Sequence, residues 1–234
     1  MKTKTYLFSL LIIFTVVYSS CTHFNELYKY NLSSKAVLFK NYINPQMSGV
    51  NICLNTEVLN DKIPFGIILA DIGAGYLEEK VKEKLEKVIQ PDSIVNIISS
   101  GMKDGLMTHY DISPVDSLSE NPEFILETRL NKFTLRSSTA GVYAHIDTKV
   151  MIINRPTGAT VWENDESSSI PIYDVMLFYP TPPLIRSTGS VVNAVRLLNM
   201  TEEEMKVAID AAVKVVSKDQ TERLRIDISE AAQK

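Results

Sequence analysis

Alternation of apolar and polar residues between positions 124 and 164 constrains the fold of this chain more than any other feature. In residues 124–130 and 142–152, every second side chain is apolar or a threonine. A period of two places those side chains on one face of a β-strand. Residues 154–158 read Asn-Arg-Pro-Thr-Gly, which is the chemistry of a turn. The pattern predicts an antiparallel meander with strands at 124–135, 142–153 and 160–164.

Two other segments carry the apolar stripe of an amphipathic helix. Residues 77–89 repeat apolar side chains at spacings of four and three among charged ones, and residues 202–217 do the same behind a capping box that begins at Thr201. A third helix is predicted near Pro91, with Gly101 and Gly105 expected to weaken it.

Shorter apolar runs at 36–39 and 49–54 predict two further strands. The alternation of Leu224, Ile226 and Ile228 fits either a short strand or a continued helix. Amphipathic faces of these kinds must pack in layers. We therefore expect an α/β fold, with a mixed, largely antiparallel sheet and amphipathic helices packed on it.

The first 21 residues have the layout of an export signal. Lys2 and Lys4 precede an apolar run of 13 residues, Tyr6 to Tyr18, which is too short to span a bilayer comfortably. The sequence from Val17 to Cys21 resembles a lipobox, at which a bacterial lipoprotein is cleaved and acylated on the cysteine. The alternative is an ordinary signal peptide cut near Ser20. We expect a signal peptide at 1–20, a tether at 21–35 and a single α/β domain at 36–234.

Charge and cysteine content narrow the choice of partners. The chain has 24 Lys+Arg against 28 Asp+Glu, and this net charge of -4 offers no broad electrostatic attraction for nucleic acid, so we predict no nucleic-acid partner. Of its two cysteines, Cys21 is predicted to carry lipid, which leaves Cys53 without a disulfide partner. Thr22, in a position with no acidic residue, resembles lipoproteins sent to the outer membrane. We expect the protein to contact that membrane through its N-terminal lipid.

Residues 167–189 do not fit any regular element, because they combine a serine run, a cluster of apolar and aromatic side chains and four prolines. Exposed apolar loops of this kind are typical of protein or membrane contacts. The alternative is that the loop folds back on the core. The sequence predicts contacts with envelope proteins or with a second copy through Tyr173, Met176, Leu177, Phe178 and Tyr179.

Sequence motifs for catalysis are lacking. The three histidines stand far apart, with neither a metal-ligand spacing nor a serine-nucleophile elbow. His109 and Asp111, two residues apart, are the nearest approach to a catalytic pair. We therefore predict no cofactor, no metal and no enzymatic activity, with an exported hydrolase of unrecognised active site as the alternative.

Residues 124–130 and 150–162 together resemble the periplasmic domains of curli-assembly-type outer-membrane lipoproteins and of auxiliary lipoproteins of ABC transport systems. The shared features are a strand around a Leu-Glu pair and a strand that ends in a Thr-Gly turn before an apolar return strand. The resemblance implies a sheet covered by helices in a cell-envelope protein. It also implies a role as an assembly, transport or secretion accessory.

Overall fold

The computed structural model describes residues 23–45, 51–54, 79–80, 83–138, 141–174 and 199–234. Short 3-10 helices lie at Leu27–Lys29 and Leu118–Glu120, and residues 79–80 and 83–88 are helical. The two long helices are α1 (Pro91–Tyr110) and α2 (Glu202–Ala231). The described strands are β1 (His23–Asn25), β2 (Ala36–Ile43), β3 (Asn51–Leu54), β4 (Ser113–Val115), β5 (Phe124–Ser138), β6 (Gly141–Asn154) and β7 (Ala159–Asp174).

The seven strands form one mixed sheet in the order β1-β7-β6-β5-β2-β4, with β3 also paired to β5. β5, β6 and β7 are antiparallel to one another, as the alternating pattern predicts, and β1 is antiparallel to β7. β2 is parallel to β5 and to β4, and β3 is parallel to β5. The α/β fold class, a mixed sheet with helices packed on it, is therefore confirmed.

The hydrophobic core lies between one face of this sheet and the two long helices. α1 packs on β2 and β5, whereas α2 packs on β6 and β7. The opposite face carries ion pairs, such as Lys149 with Glu163 at 2.5 Å and Arg129 with Glu127 at 2.8 Å. The alternate residues of β6 that face the helices are all 0% exposed: Val142, Ala144, Ile146, Thr148, Val150 and Ile152.

Helix α1 continues through both of its interior glycines to Tyr110, so the expected weakening at Gly101 and Gly105 was wrong. The glycines lie where α1 crosses α2. A Cβ added at Gly101 would clash with Ser217 Oγ, and one added at Gly105 would lie 2.9 Å from Thr221 Cγ2. The missing side chains let the helices approach closely, and the packing offsets the low helix propensity of glycine.

Helix α2 begins at the predicted capping box and ends well beyond the predicted stripe. The Glu204 amide donates to Thr201 Oγ1 at 3.1 Å, while the Thr201 amide donates to Glu204 Oε2 at 2.7 Å. The Thr201 amide and the Thr201 hydroxyl both donate to the Glu204 carboxylate, and these two bonds lower the pKa of that carboxyl. Leu224, Ile226 and Ile228 belong to α2, which resolves their open assignment in favour of helix.

The N-terminal segment differs from the predicted tether at 21–35. Its first described residues pair as β1 with β7. Leu27 and Leu32 are 1% and 0% exposed, so they are part of the core. Residues 23–35 therefore pack on the body, because burial of these leucines and pairing with β7 offset the entropy of ordering the segment.

The segment predicted to lack regular structure also begins in a strand, since β7 continues to Asp174. Pro171 is tolerated there because β1 pairs with β7 only at residues 162–164, which leaves β7 at the edge of the described sheet beyond Asn164. A register shift places Ile172 as an extra residue opposite β6, next to that proline.

We expect Gly105→Leu to lower the free energy of unfolding by about 1–3 kcal/mol, because the new side chain must push α1 away from α2. Chemical denaturation followed by circular dichroism measures this change. Ser100→Leu, at an exposed position of the same helix, is the matched control and should change stability by less than about 0.5 kcal/mol. Equal stabilities for the two variants would contradict the close helix crossing.

Candidate functional site

Helix α2 buries polar side chains within its apolar stripe. Gln220 and Asp227 follow Val213 at intervals of seven residues, and all three are 0% exposed. Residues seven apart lie on the same face of a helix, so both polar groups face the sheet. Sequence reasoning missed them, because Gln and Asp in a helix usually lie on the solvated side. Their spacing from Val213 was the available signal.

The buried Asp227 carboxylate contacts side chains from three elements. Trp162 Nε1 on β7 donates a hydrogen bond of 2.8 Å to Oδ2, and His23 Nε2 on β1 lies 3.2 Å from the same oxygen. Arg223 Nη2, one helical turn earlier, is 3.2 Å from Oδ1, at ion-pair distance but without hydrogen-bond geometry. A fully buried carboxylate is costly unless it is paired, so these contacts hold three elements together.

Strand β1 is fixed to α2 by alternate side chains. Asn25 Nδ2 donates to the Asp227 carbonyl oxygen at 3.3 Å, while Asn25 Oδ1 accepts from the Leu27 amide at 3.0 Å. The His23 ring also meets the Trp162 ring edge to face, with centroids 6.4 Å apart. We call His23, Asn25, Trp162, Arg223 and Asp227 the N-terminal clasp.

A second polar contact lies two helical turns before Asp227. Gln220 Oε1 accepts from Asn164 Nδ2 at 2.9 Å, and Gln220 Nε2 donates to Thr148 Oγ1 at 3.1 Å. Both ends of the amide are therefore satisfied inside the core. Nearby on β7, burial raises the pKa of Glu166, with a further contribution from the negative charge of Asp219 and an opposing hydrogen bond from Ser168.

A groove of about 620 Å³ runs between α1 and α2. His109 lines it together with Asp104, Lys218 and Glu222. Asp111, the proposed partner of His109, is instead the left-handed C-cap of α1, with φ 48°, and does not line the groove. The structure therefore does not bring the two residues together in this groove.

The predicted anchor and most predicted partner-binding residues, Cys21 and Met176, Leu177, Phe178 and Tyr179, lie outside the described residues. Tyr173 lies in β7, where its backbone pairs with Val142. Within the described ranges, no cluster of three or more His, Cys, Asp or Glu side chains could hold a metal ion. The described helices include none with both the length and the apolar character needed to cross a membrane.

Neither a protein-family model nor a curated protein matches this sequence. Among solved structures, a Xanthomonas campestris protein of family DUF330 is 9% identical with a TM-score of 0.42, over 87% of this chain and 91% of its own. A PelC dodecamer from Paraburkholderia phytofirmans is 10% identical with a TM-score of 0.30, over 77% and 96%.

A putative neuraminyllactose-binding hemagglutinin homolog from Helicobacter pylori is also 10% identical with a TM-score of 0.30, over 87% of this chain and 95% of its own. Because all of these TM-scores lie below 0.5, the likenesses carry no inference about this chain.

We expect Asp227→Ala to lower the free energy of unfolding by about 3–5 kcal/mol, because it leaves polar and charged partners of the carboxylate unpaired. Trp162→Phe removes one donor and should cost about 1–3 kcal/mol. Glu222→Ala, on the exposed side of the same helix, is the control and should stay within about 0.5 kcal/mol of the native chain. An Asp227→Ala variant as stable as the Glu222→Ala control would show that the clasp does not stabilise the fold.

Proposed function

We propose that this chain is an exported, lipid-anchored protein of the cell envelope, held at the outer membrane by acyl chains on Cys21. In this proposal it is a non-catalytic accessory of assembly, transport or secretion that acts through protein or lipid contacts. The basic residues, the apolar run and the small residues before Cys21 support export and acylation. Several acyl chains on one residue anchor a protein firmly, whereas one chain binds only marginally.

The export signal that ends at Cys21 is the observation that carries this proposal, and the N-terminal clasp defines where an anchor on that residue would hold the body. Only Thr22 separates Cys21 from β1, and His23 is already paired with Asn164 and in contact with Asp227. Two residue steps span at most about 7 Å. An anchor on Cys21 would therefore hold the folded body directly against the bilayer. The clasp would connect that anchor to α2 and to the sheet.

Mass spectrometry of membrane-extracted protein tests the anchor. We expect Cys21 to be the first residue of the mature chain and to carry acyl groups. A Cys21→Ala variant should leave the membrane fraction once its signal is removed. Cys53→Ala changes the only other cysteine and should stay membrane-bound, which makes it the matched control. Retention of processed Cys21→Ala protein in the membrane would refute lipid anchoring through this residue.

Crosslinking in intact cells tests the accessory role. Affinity purification should recover specific envelope proteins or crosslinked copies of this chain. Changing Leu177, Phe178 and Tyr179 together to Ser should remove those partners without unfolding the protein. Val207 and Val215 are 59% and 42% exposed on α2, so their joint change to Ser is the control and should preserve the partners. The same partner set from both variants would exclude the 176–179 region as the contact surface.

A further inference from the structure

We infer that the edge of the body beside Cys21 is itself a membrane-contact surface, which fits the headgroup interface of a phospholipid bilayer. This inference rests on the proposed lipid anchor. The anchor-proximal edge consists of Phe24 on β1, Tyr28 and Lys29 in the 3-10 helix that follows, and Lys234 beyond the end of α2.

Covalent geometry places this edge close to the lipid. Phe24 is three residue steps from Cys21, a distance of at most about 11 Å, and Tyr28 is seven steps away, at most about 25 Å. β1 is held in the sheet by its pairing with β7, and the His23 and Asn25 side chains are held by Asp227. The body therefore lacks the long flexible tether that would let it move away from the bilayer.

The exposed aromatic side chains of this edge suit the interface between a membrane and water. Successive side chains of a strand alternate in direction, so Phe24 points away from the α2 side on which His23 and Asn25 make their contacts. Phe24 is 41% exposed and Tyr28 is 47% exposed. Aromatic rings with one apolar part and, in tyrosine, a polar tip are enriched where membranes meet water.

Two lysine ammonium groups on this edge suit the negatively charged phosphates of a phospholipid surface. Lys234 Nζ lies 4.9 Å from the centroid of the Tyr28 ring, and Lys29 Nζ lies 5.5 Å from it. Lys29 also forms an exposed ion pair with Glu26 at 2.5 Å. Lysines beside an aromatic ring can extend their charge to lipid phosphates while their apolar stems lie lower in the interface.

Tryptophan quenching by brominated lipid tests this surface. The acylated full-length mature chain is reconstituted into vesicles of phosphatidylethanolamine and phosphatidylglycerol (3:1) that contain brominated phosphatidylcholine. Phe24→Trp and Tyr28→Trp add a reporter at the edge. Trp162 is 0% exposed and gives the background measured in the native chain. Tyr42→Trp is the matched control, since Tyr42 is 41% exposed on β2, four strands or about 19 Å across the sheet from β1.

We expect the added fluorescence of both edge variants to be quenched at least about twofold more than that of Tyr42→Trp, with circular dichroism spectra unchanged from the native chain. Quenching of either edge variant equal to the control would overturn the inference while leaving the lipid anchor intact. Flotation of the vesicles separates the two ideas, because a chain that does not float with the lipid refutes the anchor and this surface together.

Discussion

The buried carboxylate of Asp227 is the constraint on which the placement of α2 and β1 depends. Removing a carboxylate from water costs on the order of several kcal/mol, which must be offset by partners inside the fold. Those partners come from Trp162 on β7, His23 on β1 and Arg223 on α2. α2 can satisfy this group only when it lies over β7 with β1 paired beside it. We infer that this buried charge contributes to the specificity with which α2 and β1 are placed.

The packing of the two long helices on the sheet depends on how closely α1 can approach α2. Gly101 and Gly105 face Ser217 and Thr221, so the two helices cover one face of the sheet as a tightly packed pair. Gln220 adds a second fixed point through Asn164 and Thr148. The register of α2 on the sheet is therefore set by hydrogen bonds, whereas most of the burial comes from aliphatic side chains.

Local patterns predicted the elements whose causes are local. The alternation in β5 and β6 matches the side chains that are buried, and the turn between β6 and β7 has Gly158 at φ 71°, in the left-handed region that favours glycine. The capping box at Thr201 depends on residues three apart, and it forms as predicted. The extent of β7 past residue 164 was not predicted, because the edge position that tolerates Pro171 is a property of the whole sheet.

By itself the sequence determined the strand meander, the amphipathic helices and the α/β class, because each depends on a periodicity that a few neighbouring residues express. The sequence also contains the export signal from which the anchor at Cys21 is predicted. Only the tertiary structure decided that residues 23–35 join the body, that β2 runs parallel to β5, and that Gln220 and Asp227 are core residues. The physical reason is distance along the chain: Asn25 meets Asp227 across 202 positions, and no local pattern encodes a partner that remote.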